Sequence, residues 1–391
     1  MSLLDIDRTP LKRLTAVFVA WKVALALVAL AAPGPGYDSS STFLHLNPGF
    51  LAKFVRWDAV YFTQIAQRGH VFEQEWAFGV GLTTTLRWLT QRLFLTRRPQ
   101  LYQITVTGIL LSHGMHYLST ILTYYTASLV SRVPAVAALL YILSPAGIIL
   151  SVPYTEALFA FRNLLGLLVY ILALRSQTGS STTRALLTVI SGLIFSTATA
   201  VRSNGILSGI PILLAFLAQL YEATTSVLHN HRLPPSATIL GLVSLFVAGL
   251  LIALGQILPQ VPAYQQFCTL SSSYSSPLRP WCSYTIPSIF TFAQQHYWNV
   301  GLFNYWTVSN IPLFVLAAPA ISLLTYSSLR GLQQVIDRIA LALPQLVLAI
   351  AAVFTFHVQI ITRIASGYPW WYIWLANWIV NEESQIPDDT V

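Results

Sequence analysis

The chain has 391 residues, of which 55% are hydrophobic and only 9% charged, and its mean hydropathy is +0.63. Soluble domains carry about 25% charged residues, so a soluble fold is excluded. The net charge is +8, but the basic residues are scattered between apolar runs. This pattern is typical of charges flanking membrane helices, and it lacks the basic stripe that nucleic-acid binding requires.

The apolar runs predict an all-α polytopic membrane protein. A bilayer core of about 30 Å needs roughly 20 apolar residues per helix, and about nine or ten such runs are present. We expect a single membrane domain over residues 1–391 with two large lumenal loops, over residues 33–103 and 259–310.

The first apolar run covers residues 14–32. It exceeds the apolar region of about 7–15 residues in a signal peptide, which favours a retained anchor with a cytosolic N-terminus. Pro33-Gly34-Pro35-Gly36 then ends the helix. In residues 76–98, Arg87 and Arg92 would lie at mid-membrane, so we interpret this stretch as an amphipathic helix at the interface.

If residues 76–98 do not cross, the later runs alternate between the two sides of the membrane. These runs are residues 104–126, 135–150, 156–174, 185–201, 206–221, 238–258, 311–329 and 339–356, with a short last run at 368–380. This alternation predicts cytosolic basic linkers at Arg132, Arg175, Arg184 and Arg330. It collects the following polar residues on the lumenal side: Asp58, Glu73, Glu75, Glu156, Arg202, His296, His357 and Arg363.

Asp58 is the best-placed candidate for catalysis among only 13 acidic residues. A general base needs a carboxylate beside a bilayer-facing cleft, which Asp58 would supply. The alternative is a surface ion pair with Arg56 or Lys53. Glu156 has two interpretations as well: it binds an acceptor, or it complements the dipole of the helix that it begins.

Arg202 and Arg363 are candidates to neutralise a lipid phosphate, although arginines near apolar runs also snorkel to headgroups. His357 is either a stabiliser of that phosphate or a structural residue near a helix end. The aromatic-rich second loop suits an interfacial belt or a sugar platform. Cys268 and Cys282 either form a disulfide or remain two thiols.

Several stretches resemble one known family. They are Arg56-Trp57-Asp58-Ala59, residues 72–79, residues 153–159, Arg202-Ser203-Asn204-Gly205, residues 296–301, residues 316–319, His357-Val358-Gln359 and Thr362-Arg363. In this order they are similar to the family of glycosylphosphatidylinositol (GPI) mannosyltransferase 2. One departure is Phe78-Gly79-Val80-Gly81-Leu82, where other members carry Phe-Phe-Pro-x-x-Pro.

The resemblance implies a C-type glycosyltransferase-like helical bundle in the endoplasmic reticulum membrane. Its donor would be dolichyl-phosphate-mannose and its acceptor the GPI precursor lipid carrying one mannose, joined by an α-1,6 bond with inversion. Asp58 would be the base. The expected substrate-binding residues are Arg56, Trp57, Glu73, Glu75, Glu156, Arg202, Asn204, His296, Trp298, Asn299, His357, Gln359 and Arg363.

We predict neither a cofactor nor a metal, because Glu73 and Glu75 alone are too few ligands. The residues leave open whether a small membrane partner subunit is needed. The competing class is a lipid or sugar transporter or flippase, since polar residues within membranes also mark substrate paths. Transporters often carry internal repeats, and none is visible in this sequence.

Overall fold

The protein is described here by a computed structural model over residues 9–34, 38–44, 46–176, 180–229, 231, 233–269 and 279–383. Parts of both predicted loops, residues 35–37, 45 and 270–278, lie outside this described part. Within it the chain forms helices and connecting turns but no β-strand. The predicted all-α class is therefore confirmed.

The α-helices are α1 Pro10–Ala31, α2 Asp58–Arg68, α3 Val80–Leu93, α4 Leu101–Val130, α5 Pro134–Ile142, α6 Thr155–Arg175, α7 Ser181–Val201, α8 Ile210–Leu228, α9 Ser236–Ile257, α10 Gln260–Tyr264, α11 Ile289–Trp298, α12 Ile311–Leu332, α13 Ile336–Phe354, α14 Ile361–Ile364 and α15 Trp370–Glu383. Short 3₁₀ turns include Glu73–Ala77, Gly147–Ser151 and Ser203–Gly209.

In the described residues, 7 helical segments are long and apolar enough to cross a membrane. They contain α1, α6, α7, α8, α9, α12 and α13. The remaining predicted runs correspond to α4, α5 and α15, and their crossing stays a prediction.

The predicted run at residues 135–150 is not one continuous helix. Helix α5 has 9 residues and ends at Ile142, a length of about 13 Å that cannot span a bilayer alone. Pro145 disfavours helical backbone at Ser144, and Gly147 adopts a φ of 51°. The chain returns through the bundle as α5 followed by the 3₁₀ turn.

Helix α3 fits the predicted amphipathic helix, although it is shorter than residues 76–98. One side buries Leu82, Leu86 and Thr90, whereas Trp88 is 58% exposed. Arg92 lies over the Trp88 ring, 5.9 Å from its centroid. Arg87 and Arg92 thus lie on the exposed face of α3, and its place at the interface stays a prediction.

The long helices run between two ends of the bundle. Helix α6 has 21 residues, or about 31 Å, so Glu156 and Arg175 lie at opposite ends. At the Arg175 end, Arg175 Nε is 2.7 Å from Asp337 Oδ2. Nearby, Arg338 Nη2 donates to the Val130 carbonyl at 2.9 Å. The basic linkers and the candidate catalytic residues therefore occupy different ends.

Helices α7 and α9 pack closely because Gly255 has no side chain. A Cβ added to Gly255 would lie 2.3 Å from the Ser196 carbonyl oxygen. Small residues at such contacts allow membrane helices to approach each other closely. This contact fixes the end of α9, which carries Gln256 into the cavity described below.

We predict that Gly255→Ala destabilises the protein by about 1–3 kcal/mol, because the new methyl group forces α7 and α9 apart. Gly249→Ala is the matched control, since nothing lies within 4 Å of a Cβ at that position of the same helix. Chemical denaturation in detergent micelles measures both variants. Equal stability of the two would contradict the prediction.

Candidate active site

Asp58 lies in the first turn of α2 and is bound by an arginine from the far end of the sequence. Arg363 Nη2 of α14 donates to Asp58 Oδ2 at 2.8 Å. Neither Arg56 nor Lys53 is needed to anchor Asp58; Lys53 donates to the carbonyls of Leu30 and Ala32. The carboxylate is 29% exposed, so it faces the cavity while its charge is balanced.

The backbone before Asp58 is unusual. Trp57 has a φ of 49°, which is uncommon for a bulky residue. Its N–H donates to Ser40 Oγ at 3.0 Å, and Ser40 Oγ donates to Asp38 Oδ2 at 2.8 Å. Such strain persists where the surroundings fix the chain. This arrangement directs Asp58 into the site.

Glu156 is the buried centre of the charge network. Its residue is 0% exposed, and its Oε1 lies 3.0 Å from Arg202 Nη1 and 3.3 Å from Arg363 Nε. Glu156 lies in the first turn of α6, where its carboxylate complements the helix dipole, and it pairs with two arginines. It does not line the cavity described below, and acceptor binding by Glu156 stays a prediction. Negative and positive side chains thus alternate along a chain of ion pairs that runs from Asp58 through Arg363 and Glu156 to Arg202.

Arg363 retains its charge in this position. Burial alone would lower the pKa of its guanidinium, but the carboxylates of Glu156 and Asp58 outweigh burial and raise the pKa. Arg363 also lies over the ring of Tyr154, 5.5 Å from its centroid. Tyr154 OH in turn donates to the Arg56 carbonyl at 2.9 Å. A fixed cation therefore stands beside the Asp58 carboxylate.

Arg202 follows α7 and is held from several sides. Its Nη1 donates to Thr155 Oγ1 at 2.7 Å, and its Nε donates to Asn204 Oδ1 at 3.3 Å. Asn204 Nδ2 donates to Tyr368 OH at 3.2 Å, and Tyr368 OH donates to the Asn204 carbonyl at 2.8 Å. Asn204 thus positions Arg202.

A cavity of about 180 Å³ opens beside Asp58. Predicted site residues that line it are Asp58, Arg202, Trp298, His357 and Arg363. Its wall also contains polar residues that were not predicted: Thr155, Thr199, Ser203, Gln256, Gln260 and Gln294. The glutamines lie near the ends of α9, α10 and α11, and no local sequence pattern separates them from ordinary helix-end residues.

His357 and Trp298 join the second large loop to this cavity. His357 Nε2 lies 2.9 Å from the Trp298 carbonyl, and its ring is 4.7 Å from that of Tyr305. The Trp298 ring contacts Phe78 edge-on at 5.5 Å. His357 therefore has a structural contact and a place in the cavity wall, and stabilisation of a phosphate by His357 stays a prediction.

Glu73 connects the two large loops rather than facing the cavity. It accepts hydrogen bonds from Trp281 Nε1 at 2.7 Å and Tyr297 OH at 3.2 Å. Arg279 Nε lies 3.7 Å from the same carboxylate. Trp281 is 1% exposed.

Cys268 and Cys282 form a disulfide in the same region, with Cα atoms 5.6 Å apart. Of the two predicted states of these cysteines, a disulfide or two thiols, the structure has the disulfide.

Glu75 stabilises the first loop. Its carboxylate pairs with Arg68 and accepts the N–H groups of Val71 and Phe72. Burial alone would raise the pKa of Glu75, but these hydrogen bonds outweigh burial and lower the pKa. Neither Glu73 nor Glu75 lines the cavity beside Asp58.

Gly79, in the stretch that departs from the family pattern, permits close packing. A Cβ on Gly79 would lie 2.3 Å from the Val201 carbonyl oxygen. The loop therefore lies directly against the end of α7, and both segments line the cavity.

The other predicted residues do not line this cavity. Arg56 and Trp57 line a separate groove of about 540 Å³ beside α1. His296 stacks on Phe292 at 5.0 Å, and Asn299 ends α11 with a φ of 53°. Gln359 Oε1 accepts from Tyr305 OH at 2.9 Å. Substrate contact by these residues stays a prediction.

Among the described residues, no group of three or more His, Cys, Asp or Glu side chains is arranged to hold a metal ion. The cavity instead presents one carboxylate, two guanidiniums and neutral polar groups. Such a set can accept a proton, neutralise a phosphate and hydrogen-bond to sugar hydroxyls.

The described helices form a C-type glycosyltransferase-like bundle of a multi-pass membrane protein. A solved structure of the Archaeoglobus fulgidus oligosaccharyltransferase, in complex with Zn and sulfate, superposes with a TM-score of 0.51 at 12% identity. It covers 96% of this chain, and the chain spans about half, 49%, of that protein. At this identity the likeness concerns the fold alone.

The chain belongs to the mannosyltransferase (PIG-V) family, whose model matches residues 14–344. GPI mannosyltransferase 2 of Chaetomium globosum is 38% identical over 96% of this chain and 91% of its own length. The Aspergillus oryzae protein of the same name is 38% identical over 93% and 85%, and that of Gibberella zeae 36% over 98% and 93%. The resemblance is confirmed, and the transporter alternative is not favoured.

We predict that Glu156→Gln lowers the free energy of unfolding by about 3–5 kcal/mol, because it leaves two arginines short of a buried negative charge. Glu222→Gln, at an exposed position of α8, is the matched control. Chemical denaturation in micelles measures both. Wild-type stability of the Glu156 variant would contradict the proposed role of this network.

The hydrogen bond between Trp281 and Glu73, which joins the two large loops, is testable by a double-mutant cycle. Glu73→Gln and Trp281→Phe each weaken the same hydrogen bond, so their effects on stability should be non-additive by about 0.5–3 kcal/mol. Denaturation of both single variants and of the double variant gives this coupling energy. Strict additivity would show that the two side chains act independently.

Proposed function

We propose that the protein transfers the second mannose, through an α-1,6 bond, from dolichyl-phosphate-mannose to the one-mannose GPI precursor. The observation that carries this proposal is the cavity beside Asp58, whose carboxylate is paired with Arg363 and backed by Glu156 and Arg202. The names of the relatives, GPI mannosyltransferase 2, support the substrate assignment.

Asp58 acts as the general base. One oxygen, Oδ2, is held by Arg363, which leaves Oδ1 to accept the proton of the acceptor hydroxyl. As the proton moves to Asp58, the acceptor oxygen bonds to the anomeric carbon of mannose. The bond from that carbon to the phosphate oxygen breaks at the same time, and a β-linked donor gives an α-linked product. General-base assistance of this kind contributes about 10²–10⁴-fold.

The leaving dolichyl phosphate departs as an anion and needs no general acid. Arg202 lines the cavity and uses Nη1 and Nε in protein contacts. Its Nη2 makes no hydrogen bond within the described residues, so it can face a phosphate oxygen. Arg363 adds positive charge from the adjacent wall. Because guanidinium groups bind phosphate in a fixed geometry, this pair supplies the charge stabilisation without a metal or cofactor.

The reaction takes place on the lumenal side of the endoplasmic reticulum membrane. Disulfides persist in oxidising compartments, and the Cys268–Cys282 bond lies in the loop that Glu73 joins to the first loop. The basic linkers at the opposite end of the bundle suit the cytosolic face. The proposed partners are the two lipid substrates and the membrane.

We predict that Asp58→Asn lowers mannosyl transfer by about 10²–10⁴-fold, because the amide cannot accept the acceptor proton. The assay supplies purified protein with dolichyl-phosphate-mannose and the one-mannose acceptor. Glu222→Gln is the control, since Glu222 lies at an exposed position of α8 and does not line this cavity. Near-normal transfer by the folded Asp58 variant would remove Asp58 from the mechanism.

A further inference from the structure

A second charged pocket lies at the end of the bundle opposite Asp58. It has a volume of about 470 Å³ and is bordered by the ends of α4, α6 and α15 and the start of α13. The residues lining it are Leu129, Val130, Ser131, Arg132, Arg175, Val335, Arg338, Asn377 and Asn381. This set contains three guanidiniums and two carboxamides, but no carboxylate.

The arginines differ in how far protein contacts occupy them. Arg175 binds Asp337 and the Leu129 carbonyl, and Arg338 donates to the Val130 carbonyl at 2.9 Å. Arg132 makes no hydrogen bond or ion pair with the rest of the described chain. Because a guanidinium has five N–H donors, each arginine retains donors for a ligand. With Asp337 counted, the positive charge is still in excess.

We propose that this pocket binds the phosphate of an anionic phospholipid headgroup. Arginine forks match phosphate oxygens, and the carboxamides add neutral donors. The depth of the pocket favours a membrane lipid over free phosphate: α6 spans about 31 Å, close to the thickness of the hydrocarbon core, so Arg175 lies at headgroup level. Basic pockets between helices at the cytosolic face are suited to anionic headgroups.

Apolar surface beside the arginines completes the fit to a lipid. Val335 lines the pocket and is 63% exposed, and the next residue, Ile336, is 54% exposed. Acyl chains can cover these side chains while the phosphate faces the arginines. A soluble phosphate would leave them uncovered, so the geometry commits the pocket to a lipid.

The test uses the full chain in nanodiscs containing phosphatidylcholine and phosphatidylserine, followed by native mass spectrometry of the lipids retained. Phosphatidylserine is chosen because it carries no sugar and so is neither a mannose donor nor the mannose acceptor; its loss at the end of the bundle opposite Asp58 is therefore separable from mannosyl transfer. Arg132→Gln should lower retained phosphatidylserine about fivefold without altering folding, since Arg132 makes no hydrogen bond or ion pair within the described residues. Arg330→Gln is the matched control: it lies at the same end, contacts Tyr326 and is outside the pocket.

Selective loss of phosphatidylserine in the Arg132 variant, with no displacement by added inorganic phosphate, supports the lipid site. Equal losses in the Arg132 and Arg330 variants would show attraction to surface charge in general and overturn the proposal. Displacement by inorganic phosphate at millimolar concentration would assign the pocket to a soluble anion. Unchanged retention in the Arg132 variant would mean another occupant, such as the acidic residues Asp388 and Asp389 of this chain.

Discussion

The buried carboxylate of Glu156 is the constraint on which the site depends. A charge at 0% exposure loses several kcal/mol of hydration and is tolerated only when it is paired. Its partners come from the end of α7 and from α14, so those segments must meet at the start of α6. Arg363 then extends the network to Asp58 of α2. One desolvated group thereby fixes the relative positions of four segments that are distant in sequence.

The two large loops add a second level of organisation around this centre. Glu73 of the first loop accepts hydrogen bonds from Trp281 and Tyr297 of the second loop. The Cys268–Cys282 disulfide lies in the same region. Gly79 brings the first loop against the end of α7. The cavity is therefore bordered by two loops that are joined to each other. Its charged side chains, Asp58, Arg202 and Arg363, come from the start of α2, the end of α7 and α14.

Much of this arrangement was predictable from residue type. Carboxylates and arginines are rare in the apolar runs, so Asp58, Glu156, Arg202 and Arg363 stood out, and alternation of the runs placed them at one end. Their pairing was not predictable, because a contact such as Asp58 with Arg363 spans a sequence separation of 305 residues that no local pattern records. The break after α5 was readable from Ser144-Pro145, whereas the cavity role of Gln256 depends on the packing of Gly255 and has no local signal.

The separation of 305 residues between Asp58 and Arg363 has a consequence for biogenesis. At about 5–20 residues per second, a ribosome needs roughly 15–60 s after making Asp58 to deliver Arg363. Once Arg202 has been made, the half-built membrane domain can form the Glu156–Arg202 pair, but it holds both carboxylates without Arg363 for the rest of this interval. Truncation before Arg363 would leave Asp58 and Glu156 without this shared partner.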